Sequence, residues 1–294
     1  MKTSIFSLLV ALALPLTAGQ WQPAHISPEA KWLVHADFDA MRNSESGKAV
    51  FSLLEADQGK QLRALSPFFA LQPLNQLHGI TCYGDGKFHH ATALIAGQFD
   101  RPLIENLVKI APGYAGFSHA GFDVHSWLEK GTKQYAAFAS DGVLVFSRQE
   151  QGLKQALDVF QTPTAHPVPE FLALEAGQPL VVARARMADM DLPADLSHFV
   201  QLAKSVQLAV LESTGRITLR ANAETGAGED AERLRRMLDG MLALAESHHA
   251  SLEGLDLRSE LDAITKSRTF SAAFSLPVGE LFDLIDSQIN RLNR

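Results

Sequence analysis

A single cysteine, Cys82, stands in this chain of 294 residues, so no intramolecular disulfide can form and the fold must be held by its core. The common catalytic signatures are missing too. No histidine is followed by glutamate, which excludes an H-E-x-x-H zinc helix; there is no C-x-x-C pair, and no serine has lysine three places on. Gly116 to Gly121 (Gly-Phe-Ser-His-Ala-Gly) is one residue too long for a nucleophile elbow and runs into an apparent strand, so it reads as a turn. Gly84-Asp85-Gly86-Lys87 lacks the first glycine and the Ser/Thr of a phosphate loop and also reads as a turn. Acidic residues outnumber basic ones, 33 to 26, for a net charge of −7, which argues against nucleic acid as a general partner. Beyond the first residues no apolar run is long enough to predict a membrane span.

Residues 1–19 have the form of a signal peptide. Lys2 supplies the positive start, Ile5 to Leu16 an apolar run too short to cross a bilayer, and Thr17-Ala18-Gly19 the small residues for cleavage. No cysteine stands there to carry a lipid. The expectation is a periplasmic or secreted protein that is not a lipoprotein.

The remainder reads as a pattern used twice. In the first copy Ile80 to Tyr83 runs into a Gly-rich turn, Phe88 to Phe99 returns, and Asp100 with Pro102 opens a helix carrying Leu103, Ile104, Leu107 and Val108. The second copy has Val206 to Leu211, a turn at Ser213-Thr214-Gly215, Arg216 to Ala223, and a long helix with Leu234, Met237, Leu238, Met241, Leu242 and Ala245 on one stripe. A strand and a helix precede each copy. The expected fold is α+β: two tandem split-βαβ-like (ferredoxin-like) repeats, antiparallel-rich, with helices on one face. Residues 20–161 form the first repeat, which has an extra hairpin at Asp141-Gly142; 162–178, rich in proline, the linker; and 179–294 the second. Within these, Trp32 to Phe38 alternates as a strand whose Trp32, Val34, Ala36 and Phe38 side is expected to be buried, helices are expected over Leu62–Phe69, Leu192–Lys204 and Leu255–Lys266, and a helix from Leu281 closes the chain.

Histidine is concentrated in the first half. On the first strand His35 and Asp37 share one side, and a neighbouring strand could set His90 and Thr92 beside them; two imidazoles and a carboxylate suit zinc or a similar divalent metal with one position left for water. The same residues read more simply as polar groups of a sheet face, since no ligand motif accompanies them, in which case no cofactor is involved. His89, next to His90 on a strand, would face away. In the second half Arg184 and Arg186 alternate on one strand and Arg216 and Arg220 on another, a set of guanidiniums suited to an anionic small molecule, an acidic glycan or an envelope protein. Ordinary ion pairs would account for them as well. Cys82 reads as a small hydrophobe, His248-His249 as a complement to a helix C-terminus, and Asp39 as the end of its strand.

The opening Lys31 to Asp39 (Lys-Trp-Leu-Val-His-Ala-Asp-Phe-Asp), the lead Gly79 to Gly84 and Ala156 to Val159 resemble a group of uncharacterised exported bacterial proteins. That resemblance implies an envelope location and no activity. The leading functional reading is a non-catalytic periplasmic binding or interaction protein with the arginines as its contact surface. The alternative is a metal-dependent hydrolase using His35, Asp37 and His90; a carrier of apolar ligands is a third reading.

Overall fold

The structure, a computed structural model, describes residues 21–57, 73–87, 89–162, 178–187, 190, 202–248, 256–261, 268–280 and 282. The expected signal peptide, most of the Pro-rich stretch, and the helices expected over Leu62–Phe69, from Leu192 and from Leu281 lie outside these residues or almost wholly so.

In the first half the elements are β1 (Trp32–Asp37), α1 (Phe38–Arg42), α2 (Glu45–Asp57), α3 (Pro73–Gln76), β2 (Leu77–Gly84), β3 (Thr92–Gly97), α4 (Arg101–Lys109), β4 (Ala115–His119), β5 (Phe122–Glu129), β6 (Thr132–Ser140), β7 (Val143–Ser147) and α5 (Glu150–Gln161). The second half has β8 (Val181–Arg186), β9 (Ala203–Ser213), β10 (Arg216–Thr225), α6 (Gly228–His248), β11 (Asp256–Leu261) and β12 (Thr269–Pro277). All twelve strands belong to one antiparallel sheet in the order β11-β12-β10-β9-β8-β1-β2-β3-β7-β6-β5-β4.

Local chemistry explains many of the joints. Three hairpins turn through two consecutive residues of positive φ, Ala120-Gly121, Lys130-Gly131 and Thr214-Gly215, the geometry whose twist matches the flanking strands. Asp100 caps α4 by accepting the Leu103 N–H at 3.1 Å, with proline in the first turn where a missing N–H costs nothing.

Strand order departs from two split βαβ units. β1 pairs with β2 on one side and β8 on the other; outward from that central pair the first half runs β2-β3 and then β7-β6-β5-β4 in reverse, and the second runs β9-β10-β12-β11, so β9 lies between β8 and β10. Residues 256–261, expected within a helix, form edge strand β11 against β12. Their order, Asp-Leu-Arg-Ser-Glu-Leu, suits a strand, and pairing with β12 decides it.

The faces are also reversed from expectation at β1. Leu33, His35 and Asp37 are buried, whereas Val34 is 41 % exposed and Trp32 and Ala36 are half-buried. The cover is a strap before β1, with Trp21, Ile26 and Ala30, together with Leu153, Ala156 and Leu157 of α5; these pack on Leu33, Tyr83, Leu94, Ala137 and Val145. Leu153 and Leu157 are fully buried, each contributing about 1.5–3 kcal/mol relative to exposure. His25 of the strap stacks on Phe160 of α5 with ring centroids 4.3 Å apart. Helices therefore occupy both faces. α5 lies on the Leu33 face, while Ala231 and Leu234 of α6 pack with Ala223, Phe270 and Ala272 on the Val34 face. α4 covers that same face near β5 and β6, so Tyr135 to Phe138 is buried on both sides.

Candidate functional site

The residues expected to hold a metal are not brought together. His35 is 3 % exposed and shares a 2.9 Å hydrogen bond, Nδ1 to Thr81 Oγ1, with its cross-strand neighbour. Asp37 caps α1 by accepting the Ala40 N–H at 2.8 Å; burial pushes its carboxyl upward, against the pull of that hydrogen bond. His90 lies outside any strand, in the turn between β2 and β3, and Nδ1 contacts Asp85 Oδ2 at 3.2 Å. This turn adjoins Gly84, the partner of Trp32, and so stands about 16 Å along β1 from Asp37. His89 occupies the same turn with φ 67°. No group of three His, Cys, Asp or Glu side chains able to hold a metal occurs among the described residues. Asp39, rather than ending the strand, pairs with Arg42 within α1 and with His78 of β2.

The arginines share a sheet face but not an environment. The register places Arg184, Arg186, Arg216 and Arg220 on the Leu33 side. Arg184 is 4 % exposed, with its guanidinium 5.9 Å from the Trp21 ring. Arg216 donates through Nε to Ser275 Oγ at 3.0 Å and through an Nη to the Ser275 carbonyl at 2.9 Å. Arg220 is exposed on β10, two strands from β8. Cys82 is half-buried on the Val34 face, and burial raises its thiol pKa, so it stays protonated.

A different place has the geometry of a binding site. On the Leu33 face one cross-strand row reads Leu33, Tyr83, Thr92, Ser147, Tyr135 and Ser126. Its hydroxyl-bearing members are all less than 9 % exposed, and successive strands lie about 4.8 Å apart. The N-terminus of α5 comes down on this row at Gly152. A Cβ there would stand 3.0 Å from Thr92 Oγ1 and 3.2 Å from Ser147 Oγ, so glycine leaves space that a side chain would take. Between helix, row, strap and β2–β3 turn is a pocket of about 310 Å³. Tyr83, Thr92 and Ser147 line it with Asp85, His90 and Gln155.

Tyr83 is the notable member. It is 3 % exposed, its Oη is approached by the Ser27 backbone N–H but has no acceptor for its own proton among the described residues, and burial drives its titration far above that of a free phenol, against the pull of that N–H. A buried hydroxyl left unmet costs about 1–3 kcal/mol. Ser147, by contrast, is committed: Oγ donates to the Ala91 carbonyl at 3.0 Å and accepts the Gln149 N–H at 3.1 Å. The helix has no side-chain cap, so its first turn presents backbone donors at the pocket. At the mouth Asp85 accepts from His90 and from the Lys87 N–H; burial works against its charge, but these contacts hold the carboxyl below its usual range. An imidazole braced by a carboxylate is half of a nucleophilic apparatus. The nearby serine, with both lone pair and proton engaged, does not complete it.

This site was hidden in the sequence because the hydroxyls that line it come from three strands and its wall from a helix. One available signal was Gly152, a glycine inside the first turn of an otherwise strong amphipathic helix. A second, wider groove at the start of α6 is lined by Arg233, Arg236 and Arg268, of which Arg233 approaches Asp230 and Arg236 approaches Glu232.

No protein-family model matches the chain, and no curated protein matches it. Among solved structures, crystal form III of TP0453, a Treponema pallidum protein, is similar with a TM-score of 0.53 and 10% identity, over 92% of this chain and 99% of that one. Crystal form I of the same protein gives a TM-score of 0.49 and 9% identity, over 91% and 98%. The likeness is one of fold, and no family assignment follows from it.

Proposed function

We propose that the chain is an exported, non-catalytic binding protein of the periplasm or extracellular space, and that the pocket beneath α5 receives its ligand. The observation that carries this reading is the Tyr83 hydroxyl, 3 % exposed, whose proton finds no acceptor among the described residues, in the wall of a pocket that Gly152 keeps open. Native folds rarely bury a polar group without a partner, and a ligand is one means of supplying it. Export rests on the form of residues 1–19. The arginine set is the weaker candidate surface, because Arg184 is stacked under the strap and Arg216 is bound to Ser275. A hydrolase built on His35, Asp37 and His90 would need those groups to converge, and their places on the sheet argue against it.

The test is a thermal-shift screen of the mature protein against small polar metabolites, repeated with Gly152→Leu. Stabilisation of the native protein that disappears in the variant supports the reading; equal shifts in both, or none in either, overturns it. Amino-terminal sequencing of protein from fractionated cells, expected to begin after Gly19, tests export.

A further inference from the structure

We infer that the pocket beneath α5 takes an uncharged polyhydroxylated molecule, a monosaccharide or cyclic polyol. The inference rests on the pocket being the ligand site. Its lining is rich in groups that both donate and accept: the hydroxyls of Tyr83 and Thr92 and the amides of Gln149, Gln151 and Gln155. A sugar hydroxyl is likewise donor and acceptor, so a run of them can meet such a lining without leaving either party unmatched. Tyr83 Oη, buried and with no acceptor for its proton among the described residues, can donate to a ligand hydroxyl.

Charge points the same way. No arginine lines the pocket, and planar guanidiniums are the usual partners of carboxylate and phosphate. The basic side chains that do line it, Lys87 and His90, both lean on Asp85, at 3.9 Å and 3.2 Å. That carboxylate is in turn occupied, and Glu29 is exposed at the mouth, where water screens it. A cation entering the pocket would therefore lose hydration with no uncommitted buried counter-charge to replace it, and an anion would meet only the backbone N–H groups of the first turn of α5. A neutral polyol avoids that cost. Asp85, held in its charged form, remains a strong acceptor for a sugar O–H.

Calorimetric titration of the mature protein tests this with D-glucose, D-galactose, D-mannose, N-acetyl-D-glucosamine and myo-inositol, set against D-glucuronate, D-glucose 6-phosphate and D-glucosamine. At least one neutral compound is expected to bind, more tightly than any charged one. Thr92→Val, which keeps the side chain's shape, and Tyr83→Phe should each weaken that binding by about 5–10-fold. Gln155→Ala, at an exposed position that cannot unsettle the core, should weaken it too. A charged compound binding best, and losing affinity in Thr92→Val, overturns the ligand class while leaving the pocket as a binding site. If no compound in either set binds, or if binding is unchanged in Thr92→Val, Tyr83→Phe and Gln155→Ala alike, the pocket itself is the wrong site.

Discussion

Glu212 of β9 caps helix α2 at Ser46: its carboxylate accepts the Ser46 N–H at 2.8 Å and the Ser46 hydroxyl, and takes the Glu45 N–H at 2.7 Å. A side chain from the second half thus satisfies the first turn of a helix in the first. Burial opposes its charge, but the hydrogen bonds from Ser46 and Glu45 outweigh it and hold the carboxyl below 4.5. A lowered folded value means that the contribution is present above the unfolded range and lost as pH falls through the folded one. Glu212→Ala should cost about 1–2 kcal/mol at pH 7 in denaturant unfolding. The difference from the native protein should shrink as pH drops below 4.5, the ordinary value for this carboxyl.

The two sides of β1 should respond oppositely to truncation. Leu33 is fully buried under the strap and α5, so Leu33→Ala should cost about 2–5 kcal/mol. Val34, one residue on, is 41 % exposed, and Val34→Thr should stay within about 0.5 kcal/mol. Equal losses at both positions in chemical denaturation would contradict the assignment of faces.

Removal of the Tyr83 hydroxyl separates fold from binding. Because the Oη proton has no acceptor among the described residues, Tyr83→Phe relieves a desolvation cost that outweighs the Ser27 N–H contact, and the ligand-free protein should be as stable as the parent or up to about 1 kcal/mol more so. A loss of more than 1 kcal/mol in thermal unfolding without ligand would mean that the hydroxyl serves the core.

For His35 and Asp37 the expected consequences are structural. His35→Ala should lower stability by about 2–3 kcal/mol, since it empties a buried site and strands Thr81, and should leave the metal content of the purified protein unchanged by elemental analysis. Asp37 differs in sign from Glu212. Its folded value is raised, chiefly by burial, so its contribution to stability is greatest at low pH and declines as pH rises through that value. Asp37→Asn keeps the cap acceptor and removes the charge; it should flatten this part of the pH profile, whereas Asp37→Ala should cost about 1 kcal/mol by losing the cap.

Local features were readable where one residue type has one physical use. Asp100 with Pro102 marked the start of α4, and Gly215 marked a hairpin, because capping and positive φ each select a short set of residues. β1 was readable as a strand but not as to which side it buries. Leu33 and Val34 are both apolar, and the side is settled by a strap, Trp21 to Ala30, that has no periodicity of its own. The α+β class was legible in the alternation of strands and helices. The order of strands was not, since the pairing of Leu33 with Arg184 joins residues whose separation no local pattern encodes. The row Tyr83, Thr92, Ser147 escaped notice for the same reason: hydroxyls on three strands become neighbours only through register.

The central pairing of β1 with β8 also sets a schedule for the newborn chain. Trp32 to Ala36 is made early, yet its partners on one side, Val181 to Ala185, are made roughly 150 residues later. At about 5–20 residues per second that interval is about 8–30 s. Throughout it, one flank of β1 carries unsatisfied N–H and C=O groups, and any chain interrupted in between keeps them. Fragments ending before Leu180 should accordingly associate with one another through that flank, and a chaperone that guards nascent chains of this protein would have its principal task there.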